Sequence, residues 1–370
     1  MSQQGESPAA EDAWWRRLYD ETARDTGSGD KADTLDDRFD SASGAVGGRR
    51  PSGGGDGDKD RATAPTHRTG QVGAGPPRYD PEPTALPATA PDELAALVAD
   101  TALDGARYGT FTLRAASVRG DAARFRGEPR RDALLTARFG DDEEALVLVA
   151  VATAARATGS AHPAASDACR WIGEAVARNH PRLSEDIRAG RRQDLKSGLN
   201  RLTDRAYGRL RARAAELGEE PEGYTASLRC LLLPADPDCR ARIFFGVGAG
   251  GFLRLRDGVW QDLEPQGPER QGTGPGHPGP QGPVSHGPGP RAPSEEPFRF
   301  RGSVARSGDT LLLCSPGLAG PLRGEPALAE ELADRWAPKT PPGLVAFLAD
   351  TQLRVKGYSD DRTGVGVWEA

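Results

Sequence analysis

Residues 145–154 read ALVLVAVATA. Positions 146–152 are all apolar, and Val147, Val149 and Val151 put a β-branched residue at every second step. An unbroken apolar run of this length is the pattern of a strand buried on both faces, whereas a half-exposed strand would alternate. Ala145 to Ala152 is therefore expected to be the central strand of the fold. Working outward, further short apolar or alternating runs bounded by Gly, Pro or Asp predict strands at Gly109–Val118, Ala133–Phe139, Ala226–Leu233, Ala241–Val247, Gly251–Leu255, Phe298–Val304, Thr310–Cys314 and Gly364–Trp368. The turn dipeptide Asp257-Gly258 inside Phe252–Trp260 favours antiparallel pairing.

Helical spacing predicts helices over Ala164–Ala177, Asp186–Leu217, Ala327–Trp336 and Leu344–Val355. In the second of these, Leu195, Leu199, Leu202, Ala206 and Leu210 fall on one stripe. Arg188, Arg191, Arg192, Lys196, Arg201, Arg205, Arg209, Arg211 and Arg213 surround it, a solvated face with no interleaved aromatics for stacking nucleic-acid bases. Strands, a helical pair, more strands, and a helix before the last strand give an α+β layered domain and not the alternation of a doubly wound parallel sheet.

The chain has 370 residues, 28% of them charged. Residues 1–60 hold 8 Lys/Arg against 14 Asp/Glu, so the whole formal charge of −6 falls there and the other 40 basic and 40 acidic residues balance. An electroneutral body gives no reason to expect a nucleic-acid partner. No run of 18 apolar residues and no signal-peptide pattern occur, so no membrane association is expected and a cytoplasmic location is. Residues 1–90 read as a disordered acidic tail, since Thr22–Ala90 has almost no large apolar residues. It carries two apolar islands, at 14–19 (WWRRLY) and 35–39 (LDDRF), each a docking motif or a segment that folds back on the body. Residues 91–370 read as the folded domain, interrupted by a Gly/Pro-rich loop at 266–296 that contains His277 and His286. Cys169, Cys230, Cys239 and Cys314 are far apart and mostly in apolar contexts, as core thiols would be.

No Gly-x-Gly-x-x-Gly and no P-loop is present, and outside that loop the body holds only His162 and His180. Nucleotide loops and His-centred triads are thereby disfavoured. What remains are acids at strand ends: Asp132, Asp309, Asp360 and Asp361. Such carboxylates suit hard cations, although the same residues serve as turn formers.

Five blocks in order, RAASVRGDAARFRGEPRRDALLTARF (114–139), LVLVAVATAARATGSAHPAASDACRWIGEAV (146–176), FFGVGAGGFLRLRDGVW (244–260), RSGDTLLLCSPGLAGPL (306–322) and GYSDDRTGVGVWE (357–369), resemble the metal-dependent protein phosphatase 2C family, in particular its bacterial members. The resemblance implies a PP2C-like four-layer sandwich: two antiparallel sheets packed together and flanked by helices. It implies a Mg2+ or Mn2+ centre in which Asp132 matches the first acidic motif, and Asp360 the aspartate of the family's Asp-Asn-x-Thr, with Asp361 and Thr363 in the Asn and Thr places. Three ligand positions are degenerate: the family's Asp-Gly is Thr153-Ala154, its Ser-Asp-Gly is Ser315-Pro316-Gly317, and its hairpin Asp is Ala249. Arg126 and Arg130 both stand where the family's phosphate-binding arginine could fall.

Two divalent ions within about 4 Å of each other need anionic ligands between them. The resemblance therefore implies that a binuclear centre is lost, leaving at most one weak ion at Asp132 and Asp360. The expected function is a catalytically impaired phosphatase homologue, a pseudophosphatase acting as a regulatory module that binds a protein partner, including a phosphorylated one. The alternatives are an active Ser/Thr phosphatase with Asp141, Asp142, Asp167 or Asp309 as substitute ligands, and a scaffold whose tail motif does the work.

Overall fold

Strand β5, Leu146–Ala154, is buried along nearly its whole length, with every residue from 146 to 152 almost inaccessible. Its even residues Leu146, Leu148, Ala150 and Ala152 pack against helices, and its odd residues Val147, Val149 and Val151 pack against a second sheet. This is the two-faced burial that the apolar run predicts. The computed structural model describes residues 70–141, 144–155, 161–264, 297–337 and 340–370. The two tail motifs, the Gly/Pro-rich loop with its histidines, and Asp142 lie outside the described residues.

Around β5 the first sheet runs β10 (Arg299–Val304), β7 (Ala241–Val247), β6 (Ala226–Pro234), β5 and β4 (Asp132–Phe139), antiparallel throughout. The second runs β2 (Thr101–Tyr108), β3 (Phe111–Val118), β13 (Arg362–Glu369), β11 (Thr310–Cys314), β8 (Gly251–Arg256) and β9 (Val259–Asp262), also antiparallel. Phe111, Leu113, Val149, Leu231, Phe244, Phe252, Leu311 and Val365 fill the space between them. Each such side chain, once buried, contributes on the order of 1.5–3 kcal/mol. Helices α2 (Ala161–Arg188) and α3 (Arg192–Leu217) cover the first sheet. Helices α4 (Pro316–Gly324), α5 (Pro326–Trp336) and α6 (Leu344–Thr351) cover the second, around a cluster of Trp336, Phe347 and Trp368. The four layers are those of the expected sandwich.

Several boundaries differ from the sequence reading, each for a local reason. The strand expected from Gly109 is the second arm of a hairpin whose first arm, β2, contains Asp104, Gly105 and Arg107 and lies half exposed at a sheet edge. Helix α2 runs through Pro181, and the Ala177 carbonyl that proline cannot bond takes a hydrogen bond from Nδ1 of His180 at 2.8 Å. The single long helix expected from Asp186 is broken at Gly190, whose φ of 65° only glycine adopts readily. The Leu stripe of α3 is buried as expected. Its arginines pair outward, Arg209 with Glu174 and with the ring of Trp171. A short helix α1 (Asp121–Arg126) and α4 were not foreseen.

The tail boundary expected at residue 90 also moves. Gln71–Val72 (β1) pairs in parallel with Arg354–Val355 (β12), so residues 70–90 belong to the body. Cys169, Cys230 and Cys314 are buried and Cys239 is half buried, all as free thiols.

Candidate functional site

The first residue of β4 and the penultimate residue of β5 face each other in register, Asp132 opposite Thr153. In the other sheet Thr363, near the start of β13, lies opposite Ser117, near the end of β3. Packing the two sheets brings these ends together. Thr153 donates to one oxygen of Asp132 at 2.6 Å, and Thr363 donates to the other at 2.7 Å. The Ser117 hydroxyl lies 2.6 Å from that of Thr363, and the Ser315 hydroxyl accepts the Thr363 N–H at 3.0 Å. Asp132 is 1% exposed. Burial, then the neighbouring charge of Asp361, pushes its carboxyl up to about 7, against the opposing hydroxyl hydrogen bonds.

Asp361 is the second buried carboxylate. It accepts the backbone N–H of Gly120 at 2.7 Å and of Arg131 at 2.6 Å, so it fastens three segments. Asp360, by contrast, is 70% exposed and pairs with the Arg131 guanidinium at 3.2 Å. Arg131 also lies 4.0 Å from Asp361. The two acids expected to share an ion, Asp132 and Asp360, thus have separate partners: hydroxyls for one, a guanidinium for the other.

The remaining candidates are placed as follows. Arg126 is on the surface, paired with Glu128 at 2.7 Å. Arg130 is buried and donates to the Asp132 and Ser117 carbonyls at 3.1 and 2.8 Å. Neither guanidinium bonds the Asp132 carboxylate, and the arginine that meets the Asp360–Asp361 pair is Arg131, which the sequence reading passed over. Pro316 is the first residue of α4 after its cap Ser315, a position where the missing N–H costs nothing. Gly317 must lack a side chain, since a Cβ there would fall 1.9 Å from the Asp361 carbonyl. Ala249 presents its carbonyl to Nε of Arg229 at 3.0 Å, and with Pro316 it lines a cleft of about 540 Å³. Arg229, buried, reaches Glu264 there at 2.8 Å.

The proposed substitute acids are elsewhere. Asp141 is 91% exposed beside Arg138, Asp167 accepts the Tyr224 hydroxyl at 2.8 Å, and Asp309 holds Arg256 through both oxygens at 2.6 Å. Among the described residues no group of three or more His, Cys, Asp or Glu is arranged to hold a metal ion. A pair of divalent ions does not fit this donor set: both oxygens of Asp132 accept from hydroxyls, and a guanidinium already sits on Asp360. His162, noted in the sequence only as one of the two histidines of the body, has a buried Nδ1 with no hydrogen-bond partner among the described residues. Its imidazole is held below its usual range by burial and by Arg130.

The family comparison agrees with this architecture. The Protein phosphatase 2C profile matches residues 119–354, and the chain belongs to that family. Similar solved structures include the catalytic domain of the serine/threonine protein phosphatase PstP in complex with two manganese ions, 20% identical, covering 70% of this chain and 99% of its own, TM-score 0.42. PppA, a regulatory component of T6SS in Pseudomonas aeruginosa, is 17% identical, covering 71% of this chain and 99% of its own, TM-score 0.44. The SpoIIE phosphatase domain of Bacillus subtilis is 14% identical, covering 73% and 93%, TM-score 0.38. A comparison with curated proteins finds no match. Among the described residues no helix is long and apolar enough to cross a membrane.

Proposed function

We propose that this chain is a phosphatase homologue that has exchanged its metal centre for a hydrogen-bonded lock, and that it serves as a regulatory module binding a protein partner that carries phosphate. The observation that carries the reading is the Thr153–Asp132–Thr363 chain. Its hydroxyls donate where metal ions would have to accept lone pairs, and its carboxylate is buried at a pKa near 7, so a proton competes for it at neutral pH. The pairing of Arg131 with Asp360 works in the same direction, placing a fixed positive charge beside the exposed carboxylate. One Mg2+ or Mn2+ is the most that Asp132 and Asp360 could hold, and its bound water would lack a second ion to position and acidify it.

The test is turnover. Purified protein should hydrolyse p-nitrophenyl phosphate or a phosphothreonine peptide in Mn2+ no faster than an Asp132→Ala, Asp360→Ala control. Mn2+-dependent turnover that the control lacks would overturn the reading and favour an active phosphatase.

A further inference from the structure

On the helix side of the second sheet lies a pocket of about 300 Å³ that shares only Asp360 with the ligand positions of the family centre. Four arginines (Arg119, Arg124, Arg354 and Arg362) and two aspartates (Asp121 and Asp360) line it. The charges pair off in a definite way. Arg119 and Arg124 both bond Asp100, at 3.0 and 2.6 Å; Arg354 bonds Asp121 at 2.7 Å; Asp360 is taken by Arg131.

Arg362 is left over. It is 7% exposed, and its guanidinium donates to the backbone carbonyls of Leu353 and Tyr358, forming no ion pair among the described residues. A buried cation of this kind is costly unless an anion is supplied.

We infer that this pocket is an anion site, in which Arg362 and Arg354 receive the phosphate of a small phosphate monoester. The guanidinium fork matches phosphate geometry, with charge-assisted hydrogen bonds roughly twice as strong as neutral ones. A pocket of this volume is at the lower end of the range for small-molecule sites, enough for a phosphate with a short organic group. The phosphate could be that of a free metabolite or of a phosphorylated side chain, and the ring of Tyr358 at the wall would meet the organic part of either. The inference concerns a different pocket from the Asp132 network and holds whether or not that network turns over substrate.

The test is calorimetric titration of the full chain with inorganic phosphate at constant ionic strength, with EDTA present so that no divalent ion takes part. Saturable binding is expected. Ala349 is exposed at the pocket wall, so Ala349→Glu adds a carboxylate to the pocket without disturbing the core, and it should weaken binding at least tenfold. Arg362→Gln should do the same, and if that variant does not fold, Ala349→Glu alone decides. Titration with O-phosphoserine and then with a phosphoserine peptide separates the sources: equal affinity for phosphate and phosphoserine with none for the peptide means a free ligand, and tighter binding of the peptide means a phosphorylated protein. Absence of saturable phosphate binding by the unmodified chain, or unchanged binding in Ala349→Glu, would overturn the assignment.

Discussion

The Thr363 hydroxyl, on one sheet, donates to the Asp132 carboxylate, on the other, across 2.7 Å. The bond ties the two halves of the sandwich at the end where the family keeps its chemistry. Because Asp132 is buried and also bonded to Thr153, its protonation state bears on the stability of the whole junction.

The sign of that dependence follows from the raised carboxyl. A free Asp titrates near 4 and Asp132 near 7, so between these values the folded chain binds the extra proton. Its contribution to stability is fully present below about pH 4 and is lost as pH rises through 7. Asp132→Asn should therefore melt higher than the parent at pH 8, by on the order of 2 kcal/mol, and show no such gain at pH 4. Chemical denaturation at the two pH values measures it, and an equal effect at both would contradict the assignment.

Restoring carboxylates should exchange one dependence for another. Thr153→Asp with Ala154→Gly and Pro316→Asp sets a second acid opposite Asp132 and a third at the start of α4. Without metal this variant should melt below the parent, because unpaired like charges repel. Added Mn2+ should reverse the loss, whereas the parent's melting point should barely respond. Thr153→Asp alone should be destabilised and remain so in Mn2+.

The pair Arg242–Glu369 joins the two sheets at another point, with both side chains 0% exposed and 2.6 Å between them. Arg242 also lies beneath the ring of Phe111. Glu369→Ala strands a buried guanidinium and should cost about 3–5 kcal/mol in urea unfolding. Arg242→Met with Glu369→Leu, which removes both charges, should cost far less than that single change. A double variant as unstable as Glu369→Ala would show that packing, not charge, sets the loss.

Val149 is 0% exposed and faces the inter-sheet core. Val149→Asp would bury a charge with no partner and should prevent folding. Recovery of soluble protein with a cooperative thermal transition would contradict this.

Much of the fold was legible because burial on two faces leaves a mark along a single segment, as in residues 146–152. Elements stabilised by something far away left no such mark. Strand β2 is defined by its pairing with β3, and α1 has only six residues between two glycines, too few for a period to emerge. At the site, Asp132 could be read as an acid ahead of a strand. The role of Asp361 could not, since it depends on the N–H groups of Gly120 and Arg131, more than 200 positions away in the chain. Arg131 was passed over for the same reason: its partners are fixed by how the last strand enters the second sheet, not by its neighbours.

The pairing of β1 with β12 has a practical use. Gly70, just before β1, lines the arginine pocket, its carbonyl accepts the Arg354 N–H at 3.0 Å, and an added Cβ there would meet nothing within 4 Å. Three of the four native cysteines are buried and shielded from thiol reagents. A Gly70→Cys substitution made together with Cys239→Ser, which removes the half-buried thiol, thus offers a single accessible attachment point for a fluorophore at the pocket rim, where its emission would report on occupancy of the pocket without touching any residue that lines the Asp132 network.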